Sequence, residues 1–395
     1  MSQQTAVKTG GQASSDICLV GHPFAPIGMG EHVRSAWRAF RAAGISPLIR
    51  DIYGLEKRTD PDYEREFAPQ LTQGLSRRLN IFHINGDEVE QALAHLNDPA
   101  FDAAYNVIYP AWELSKYPEP WMRQLERFDE IWAPSAFIHD AITDGTKTPV
   151  IHMPLAVEIK FSGFLSRRRF GIPDNAFCIL FFFDFGSYSS RKNPEAVLRV
   201  VEALIERDPD MPLHCILKVK GGGEGTPEFR ALAKRIDGLG GRAVLLAETL
   251  SDNEIKNLVR CSDCFVSLHR SEGFGRGMAE AMRLGRLTVA TGYSGNMDFM
   301  TPETSLLVRH VLAPLGEGAY PHWRGQVWAE PDMDHAVELI ESVLADREAM
   351  QIMTDRARNH MRTWFSARAV GNRYGERVNE ILATGAKVAL WRGGN

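Results

Sequence analysis

The residues best suited to chemistry lie between Ser271 and Met282, where glycines alternate with other residues and glutamates stand on both sides. Glycine occupies every second position from Gly273 to Gly277, and the glutamates are Glu272 and Glu280. The segment follows an apolar, strand-like run and opens a helical one. A helix that begins here directs free N–H groups and partial positive charge toward an anion, so phosphate is the expected ligand.

The two carboxylates extend this prediction beyond phosphate. A carboxylate repels phosphate but accepts hydrogen bonds from sugar hydroxyls. Carboxylates at Glu272 and Glu280, on either side of a phosphate site, therefore predict a nucleotide sugar as the ligand. The alternative is a glycine-rich turn followed by a solvated acidic helix face. The spacing differs from the dinucleotide-binding fingerprint, which belongs after the first strand of such a domain.

The elements that must position this segment alternate between short apolar runs and helical stretches, a pattern that predicts parallel sheets with helices on both faces. The predicted strands of the first half are Ile17–Gly21, Pro47–Ile52, Leu79–Ile84, Tyr105–Tyr109, Glu130–Ala133 and Val150–Met153. Those of the second half are Cys178–Phe183, Leu213–Val219, Ala243–Leu246, Cys264–Leu268 and Leu287–Thr291. Between the two series lies a basic, less regular stretch that ends in a glycine–isoleucine–proline turn.

We therefore predict an α/β protein of two doubly wound domains that face a cleft, with the chemistry on loops after the strands. The predicted parts are a disordered leader at 1–16, a first domain at 17–160, a second domain at 170–362 and a C-terminal helix within 363–395. The leader is polar and lacks the apolar core of a signal peptide.

The composition and charge of the chain limit the classes of function that it can have. The chain has 395 residues and a formal net charge of −5, whereas a protein that mainly binds nucleic acid is usually basic. No run of 18 apolar residues predicts a transmembrane helix. Five scattered cysteines suit a reducing cytoplasm. We expect a cytoplasmic protein, with contact at the inner face of the membrane through the basic helix 29–43 as an open alternative.

The Glu272–Glu280 block, followed by the stretch Gly292–Phe299, resembles the donor-site signature of the retaining glycosyltransferases of family 4, which have the GT-B fold. The stretches Trp112–Ser115 and Phe128–Ser135 are similar to segments of bacterial polysaccharide-assembly members. The resemblance implies two Rossmann-like domains and a C-terminal helix that crosses back to the first domain.

The resemblance also implies roles for individual residues of the second domain. Glu272 would contact the transferred sugar and Glu280 the ribose of the donor. Lys192 would neutralise the diphosphate. The backbone amides that would hold the sugar and the diphosphate are those of Gly273, Phe274 and Gly275.

A second cation for the diphosphate is left open. Many family members carry an arginine where this chain has Gly186, so either Arg191 or Arg276 would compensate. The alternative for Arg191 and Lys192 is an exposed helix start, where cations oppose the helix dipole.

The first domain supplies softer candidates. Gly28 and Gly30 resemble the loop that closes over the diphosphate and the acceptor, although a tight strand-to-helix turn explains them equally. The family histidine near the sugar falls here at Trp112 and Glu113, so Glu113 joins Glu272 and Lys192 as a catalytic candidate; a salt-bridged structural carboxylate is the alternative for Glu113. Trp112 and His83, which ends a predicted strand, are candidates for contact with the sugar or the acceptor; a core histidine is the alternative for His83.

The implied function is metal-independent transfer of a sugar, with retention, from a nucleoside diphosphate donor to a saccharide acceptor, which includes lipid-linked ones, in surface polysaccharide synthesis. No cofactor is implied, because the donor is a substrate. No metal site is predicted, since the lone pair Cys261 and Cys264 is shorter than a structural zinc motif. The alternatives are a glycoside phosphorylase, a nucleotide-sugar epimerase and a non-catalytic scaffold subunit of the same fold.

Overall fold

The structure is a computed structural model and describes residues 16–54, 61–221 and 225–384. Its first sheet has six parallel strands in the order β2-β1-β3-β4-β5-β6. These are β1 Ile17–Gly21, β2 Leu48–Asp51, β3 Leu79–Phe82, β4 Tyr105–Ile108, β5 Glu130–Ala133 and β6 Val150–His152. The helices of this half are α1 Gly28–Ala42, α2 Pro61–Phe67, α3 Val89–Leu96, α4 Ala100–Ala103, α5 Glu119–Leu125 and α6 Ala136–Thr143.

The second sheet also has six parallel strands, in the order β12-β11-β10-β7-β8-β9. They are β7 Phe177–Asp184, β8 Leu213–Lys220, β9 Ala243–Leu246, β10 Cys264–Ser267, β11 Leu287–Thr291 and β12 Leu306–Val308. The helices that follow them are α7 Ser189–Lys192, α8 Pro194–Arg207, α9 Pro227–Asp237, α10 Asp252–Cys261 and α11 Arg276–Arg283. Strand β7 is central and almost wholly apolar because helices cover both of its faces.

An antiparallel hairpin is inserted after β12 and forms a small sheet of its own. Its strands are β13, His310–Pro314, and β14, Val327–Pro331. The loop between them leaves the second domain and reaches the first. Leu315, Tyr320 and Trp328 pack into the apolar cluster that also holds Trp112 and Tyr117 of the first domain.

The last three helices close the molecule. They are α12 Met333–Ala345, α13 Arg347–Trp364 and α14 Ala367–Ala383. Helix α14 begins at a cap in which the Ser366 hydroxyl accepts from the Ala369 amide. It then lies along α1 of the first domain, so closely that a Cβ on Gly371 would overlap the carbonyl oxygen of Ala39. The crossing helix is thereby confirmed.

All eleven predicted strands are present, with ends that differ by one or two residues. The sequence analysis did not identify β12 or the hairpin. Most of the predicted leader and the last residues from 385 onward lie outside the described ranges. Within those ranges, no helix is both long and apolar enough to cross a bilayer. Arg34 and Arg38 of α1 bind Glu31 and Glu66, so membrane contact by that helix stays a prediction.

Candidate functional site

The loop between β10 and α11 carries the predicted anion site, and it is held from both sides. Glu272 donates its amide to the Ser294 hydroxyl at 2.8 Å, and its carbonyl accepts from the Gly295 amide at 2.9 Å. Gly275 has a φ of 93°, a left-handed conformation that favours glycine, and it starts α11. A Cβ on Gly295 would overlap the carbonyl of Gly273, so the two loops meet backbone to backbone.

This loop leaves donor groups without protein partners. The amides of Gly273, Phe274 and Gly275 donate no hydrogen bond to any residue of the described ranges. The Phe274 ring packs against Phe299, with ring centroids 5.1 Å apart, so the side chain anchors the loop and only its backbone is available. The arrangement is a cluster of free N–H groups at a helix start, which suits an anion.

Lys192 and Arg191 both pair with Glu272. The Lys192 ammonium contacts Oε1 of Glu272, and the Arg191 guanidinium lies 3.3 Å from Oε2. These cations end the short helix α7, whose flanking residues Tyr188 and Asn193 have φ values of 62° and 55°. They therefore do not stand at the start of the long helix α8, as one reading of the sequence had it, but in a last turn, where the dipole favours positive charge.

Burial and the neighbouring charges determine the protonation states of Glu272 and Lys192. Burial alone would raise the pKa of Glu272, but Lys192 and Arg191 outweigh it and lower that pKa to about 2. Burial lowers the pKa of Lys192, and Glu272 opposes the shift. Glu272 is therefore an anion. The Lys192 side chain keeps about a fifth of its surface exposed, whereas that of Arg191 is nearly fully buried.

Arg191 acts inward. Its guanidinium donates to the carbonyl oxygens of Ser271 at 2.9 Å and Ser187 at 3.3 Å, and it lies 3.9 Å from Glu113 of the first domain. It thus sits between Glu272 and Glu113 and joins the two carboxylates across the domain boundary. Its predicted role as a direct donor ligand stays a prediction, and the geometry gives it a structural task as well.

Glu113 is fixed by the second domain. Its Oε2 accepts a hydrogen bond of 2.6 Å from the Tyr320 hydroxyl, and its carbonyl accepts from the Ser271 hydroxyl. Tyr320 lies on the inserted hairpin, and the sequence analysis did not select it. The signal that could have found it is a group of aromatic residues at 320–328 inside an otherwise polar, glycine-containing loop.

Glu280 differs from Glu272 and Glu113 because its carboxylate accepts no hydrogen bond within the described ranges, whereas theirs do. Burial raises its pKa to about 7, although the nearby Arg276 opposes the shift. Arg276 reaches across to the first domain, where it donates to the Ser35 hydroxyl at 3.1 Å and lies 4.0 Å from Glu31. Glu280 is thus free to receive hydroxyl donors, and Arg276 lies beside it.

The first turn of α1 and the loop before it lie near this site, because Glu31 of that turn is 4.0 Å from Arg276. Gly28 is exposed with open space around its Cα, whereas a Cβ on Gly30 would overlap the carbonyl of Ala25. Close packing of the first turn of α1 against the preceding loop therefore accounts for Gly30, whereas Gly28 remains available to a ligand. Lys220, at the end of β8, contacts the carbonyl of Pro26 and so brings this loop against the second domain.

Trp112 and His83 are both buried in the first domain. The Trp112 ring is buried, but its carbonyl oxygen is so near Gly273 that a Cβ there would overlap it. His83 is fully buried, and its Nδ1 lies 2.8 Å from Nδ1 of His32. Burial lowers the pKa of His83 to about 3. The core interpretation accounts for its surroundings, and contact with a sugar stays a prediction.

The sequence of the second half decides the family. Residues 165–360, about half of the chain, match the model of the glycosyl transferases group 1. The chain carries a group 1 glycosyl transferase domain. This match contains Lys192, Glu272 and Glu280 together with the free amides between them.

Solved structures agree on the fold of the whole chain. HepE of Anabaena, crystallised with UDP and glucose, superposes with a TM-score of 0.65 at 14% identity and covers 92% of this chain and 99% of its own. Sucrose-phosphate synthase of Thermosynechococcus elongatus gives a TM-score of 0.65 at 15% identity, with 93% and 99% covered. At these identities the likeness concerns the fold, which is GT-B.

Curated relatives match over a shorter stretch. The D-inositol 3-phosphate glycosyltransferase of Corynebacterium urealyticum is 30% identical over 131 residues, which are 33% of this chain and 30% of the relative. The mannosylfructose-phosphate synthase of Agrobacterium fabrum is 29% identical over 135 residues, or 33% and 28%. The chain therefore matches about a third of the length of these curated relatives.

Proposed function

We propose that the chain transfers a sugar, with retention and without a metal ion, from a nucleoside diphosphate sugar to a saccharide acceptor. The observation that carries the proposal is the meeting of Lys192 and Glu272 beside three free amides at the start of α11. A cation and amides suit a diphosphate, and the anionic Glu272 suits the hydroxyls of the sugar attached to it.

The second carboxylate supports the nucleotide part of the donor. Glu280 lies within α11, eight positions after Glu272, and its carboxylate has no hydrogen-bond partner in the described residues. Ribose hydroxyls are hydrogen-bond donors, and the Glu280 carboxylate is an acceptor without a donor from the protein. Gly28, the first residue of α1, is exposed with open space around it, so it is available to the donor from the first domain.

The proposed step breaks the bond between the anomeric carbon and the diphosphate oxygen and forms a bond from the same face to an acceptor oxygen. The acceptor proton passes to the departing diphosphate, which leaves as the nucleoside diphosphate. Lys192 and the free amides stabilise the charge that develops on the leaving group. Glu272 and Glu113 hold hydroxyls in position, so most of the rate enhancement is positioning and electrostatics.

The proposed setting is surface polysaccharide synthesis in the cytoplasm, at the inner face of the membrane where the acceptor is lipid-linked. All five cysteines are buried thiols without a disulfide, which suits a reducing compartment. The names of two curated relatives contain D-inositol 3-phosphate and mannosylfructose phosphate, both of which are polyhydroxylated phosphates. Polyhydroxylated acceptors are therefore the class to screen.

Calorimetry with UDP, GDP, ADP and dTDP tests the donor site. We expect one of them to bind the wild type, and Glu280→Ala to weaken that binding about tenfold, since hydroxyl contacts to a carboxylate are lost. The matched control is Glu338→Ala, an exposed glutamate of α12, which should leave binding unchanged. Absence of binding to all four nucleotides would favour the scaffold alternative.

Turnover separates the enzyme classes. With the sugar donor of the nucleotide that binds, a transferase releases nucleoside diphosphate. A phosphorylase instead requires inorganic phosphate, and an epimerase leaves the nucleotide sugar intact with an inverted centre. Release of nucleoside diphosphate that is independent of phosphate supports the proposal, and either of the other outcomes overturns it.

A further inference from the structure

A groove separate from the loop of Glu272 lies between the two domains. It has a volume of 390 Å³ and opens to solvent. One wall comes from the first domain, between β4 and α5, and the other from the loop of the inserted hairpin. The first wall includes Lys116, Tyr117 and Glu119. The second wall includes His322, Trp323 and Arg324.

The walls of the groove are fixed to each other. The Gln326 amide bonds both backbone groups of Lys116: Oε1 accepts from the amide N at 3.2 Å, and Nε2 donates to the carbonyl O at 2.7 Å. The Lys116 ammonium also donates to the Gly325 carbonyl at 3.3 Å. These contacts hold the groove in shape without a ligand, which lowers the entropy that a ligand must lose on binding.

The groove presents aromatic faces together with unused donors. Trp323 is partly exposed, and its indole N–H donates to no residue of the described ranges. The Arg324 guanidinium lies 5.2 Å from the Trp323 ring and, like the His322 ring, has no hydrogen bond within those ranges. His322 is held edge to face against Trp121, with centroids 4.9 Å apart.

Such a surface fits a pyranose sugar. The C–H face of a pyranose is weakly positive and packs on the negative face of an aromatic ring, while its hydroxyls accept and donate around the rim. A purely apolar ligand would leave the indole and guanidinium donors of Trp323 and Arg324 without partners.

Buried aromatic residues connect the groove to the proposed reaction centre. The Trp112 carbonyl lies against Gly273, in the loop that carries Glu272. The Trp112 ring contacts Tyr117 at 5.8 Å and His322 at 6.5 Å between centroids. The groove therefore begins about one tryptophan side chain away from the sugar that the donor would present.

We propose that this groove binds the saccharide acceptor at sugar units beyond the one whose hydroxyl reacts. The proposal rests on the proposed function, because it assigns the groove to the acceptor of that reaction. It makes the inserted hairpin a specificity element that selects an oligosaccharide over a monosaccharide.

Saturation-transfer NMR with maltotriose, cellotriose and N,N′,N″-triacetylchitotriose tests this assignment on the full chain. We expect at least one trisaccharide to bind the wild type and glucose to bind much more weakly. Trp323→Ala should weaken the trisaccharide signal about fivefold or more, because an aromatic contact is lost. The control is Trp364→Ala, a tryptophan of α13 whose side chain is 63% exposed.

Two outcomes overturn the assignment: none of the trisaccharides binds, or binding persists unchanged in both Trp323→Ala and His322→Ala. The second variant guards against a local folding effect of the first, and thermal unfolding of both is measured alongside. Calorimetry with the nucleoside diphosphate keeps the two proposals apart. If the wild type binds a nucleotide but no trisaccharide, only the assignment of the groove is refuted. If the wild type binds no nucleotide, the proposed function is refuted.

Discussion

Tyr320 of the inserted hairpin donates a hydrogen bond of 2.6 Å to Glu113 of the other domain. The same carboxylate lies 3.9 Å from Arg191, which in turn pairs with Glu272. A chain of contacts thus runs from the hairpin through the first domain and back to the donor loop. The position of Glu113 consequently depends on how the two domains are docked.

Removal of the Tyr320 hydroxyl tests this dependence. We expect Tyr320→Phe to lower kcat about 10- to 100-fold, the range for loss of a hydrogen bond to a charged group. KM for the nucleotide sugar should stay near the wild-type value, because Glu272, Glu280 and Lys192 are untouched. Tyr188→Phe is the matched control, since its ring packs 4.7 Å from that of Tyr320 and its hydroxyl has no partner in the described residues. Equal kcat values in the two variants would contradict a positioning role.

A substitution of Lys192 tests whether this residue stabilises the departing diphosphate. We expect Lys192→Ala to reduce turnover about 10- to 150-fold, because a charge-assisted contact to the diphosphate is lost. Arg191 remains 3.3 Å from Glu272, so the protein should still fold. Lys234→Ala, on the exposed face of α9, serves as the control. A near-normal rate with Lys192→Ala would remove this lysine from the site.

The pKa of Glu280 predicts a pH dependence of nucleotide binding. Burial raises this pKa to about 7, so the side chain is largely protonated at pH 6 and ionised at pH 8. Ribose hydroxyls donate to the ionised form, so binding lowers the pKa, and affinity should fall as the pH drops through 7. The fall should approach tenfold per pH unit below the pKa.

The nucleotide has a phosphate that titrates in the same region, so the comparison with Glu280→Gln is needed. This variant keeps the shape of the side chain but cannot ionise. We expect its affinity to vary less between pH 8 and pH 6 than that of the wild type, as measured by calorimetry. Parallel pH profiles for the two proteins would show that Glu280 does not meet the ribose.

The contact between α14 and α1 predicts a stability effect of opposite sign at two neighbouring glycines. Gly371→Ala should destabilise the protein by about 1–3 kcal/mol, because the new methyl overlaps the rigid Ala39 backbone. Gly375→Ala meets only the end of the flexible Ile45 side chain at 3.1 Å and gains helix propensity of about 1 kcal/mol. Chemical denaturation of the two variants measures the difference, and equal stabilities would be inconsistent with close packing at Gly371.

Much of the fold was predictable because its signals are local. Apolar runs such as Phe177–Asp184 identify buried strands, and the glycines around Gly275 identify a strand-to-helix turn. The parallel order of the strands then follows from the helices between them. The pairing of Lys192 with Glu272 is a consequence of that topology, since both residues follow neighbouring strands, β7 and β10, at the same sheet edge.

The parts that were missed depend on contacts between distant segments. Nothing local to Tyr320 shows that it will meet Glu113, because the two lie 207 positions apart. Arg191 is one of the two candidates for the second diphosphate cation and stays so, but its sequence neighbours do not show that its buried guanidinium will also lie near Glu113 and donate to backbone carbonyls. His83 lies in the core, which agrees with the alternative that the sequence left open for it, and its contact with a sugar or an acceptor stays a prediction.

The hairpin has a consequence for how the chain is made. Its loop completes the apolar cluster around Trp112 and Tyr117, yet it follows the last strand of that domain by about 160 residues. At ordinary rates of translation the ribosome needs roughly 10–30 s to add that length. During this interval the aromatic cluster of the first domain lacks the side chains that the hairpin adds, so we expect a fragment cut at the domain boundary to expose apolar surface and to aggregate more readily than the full chain.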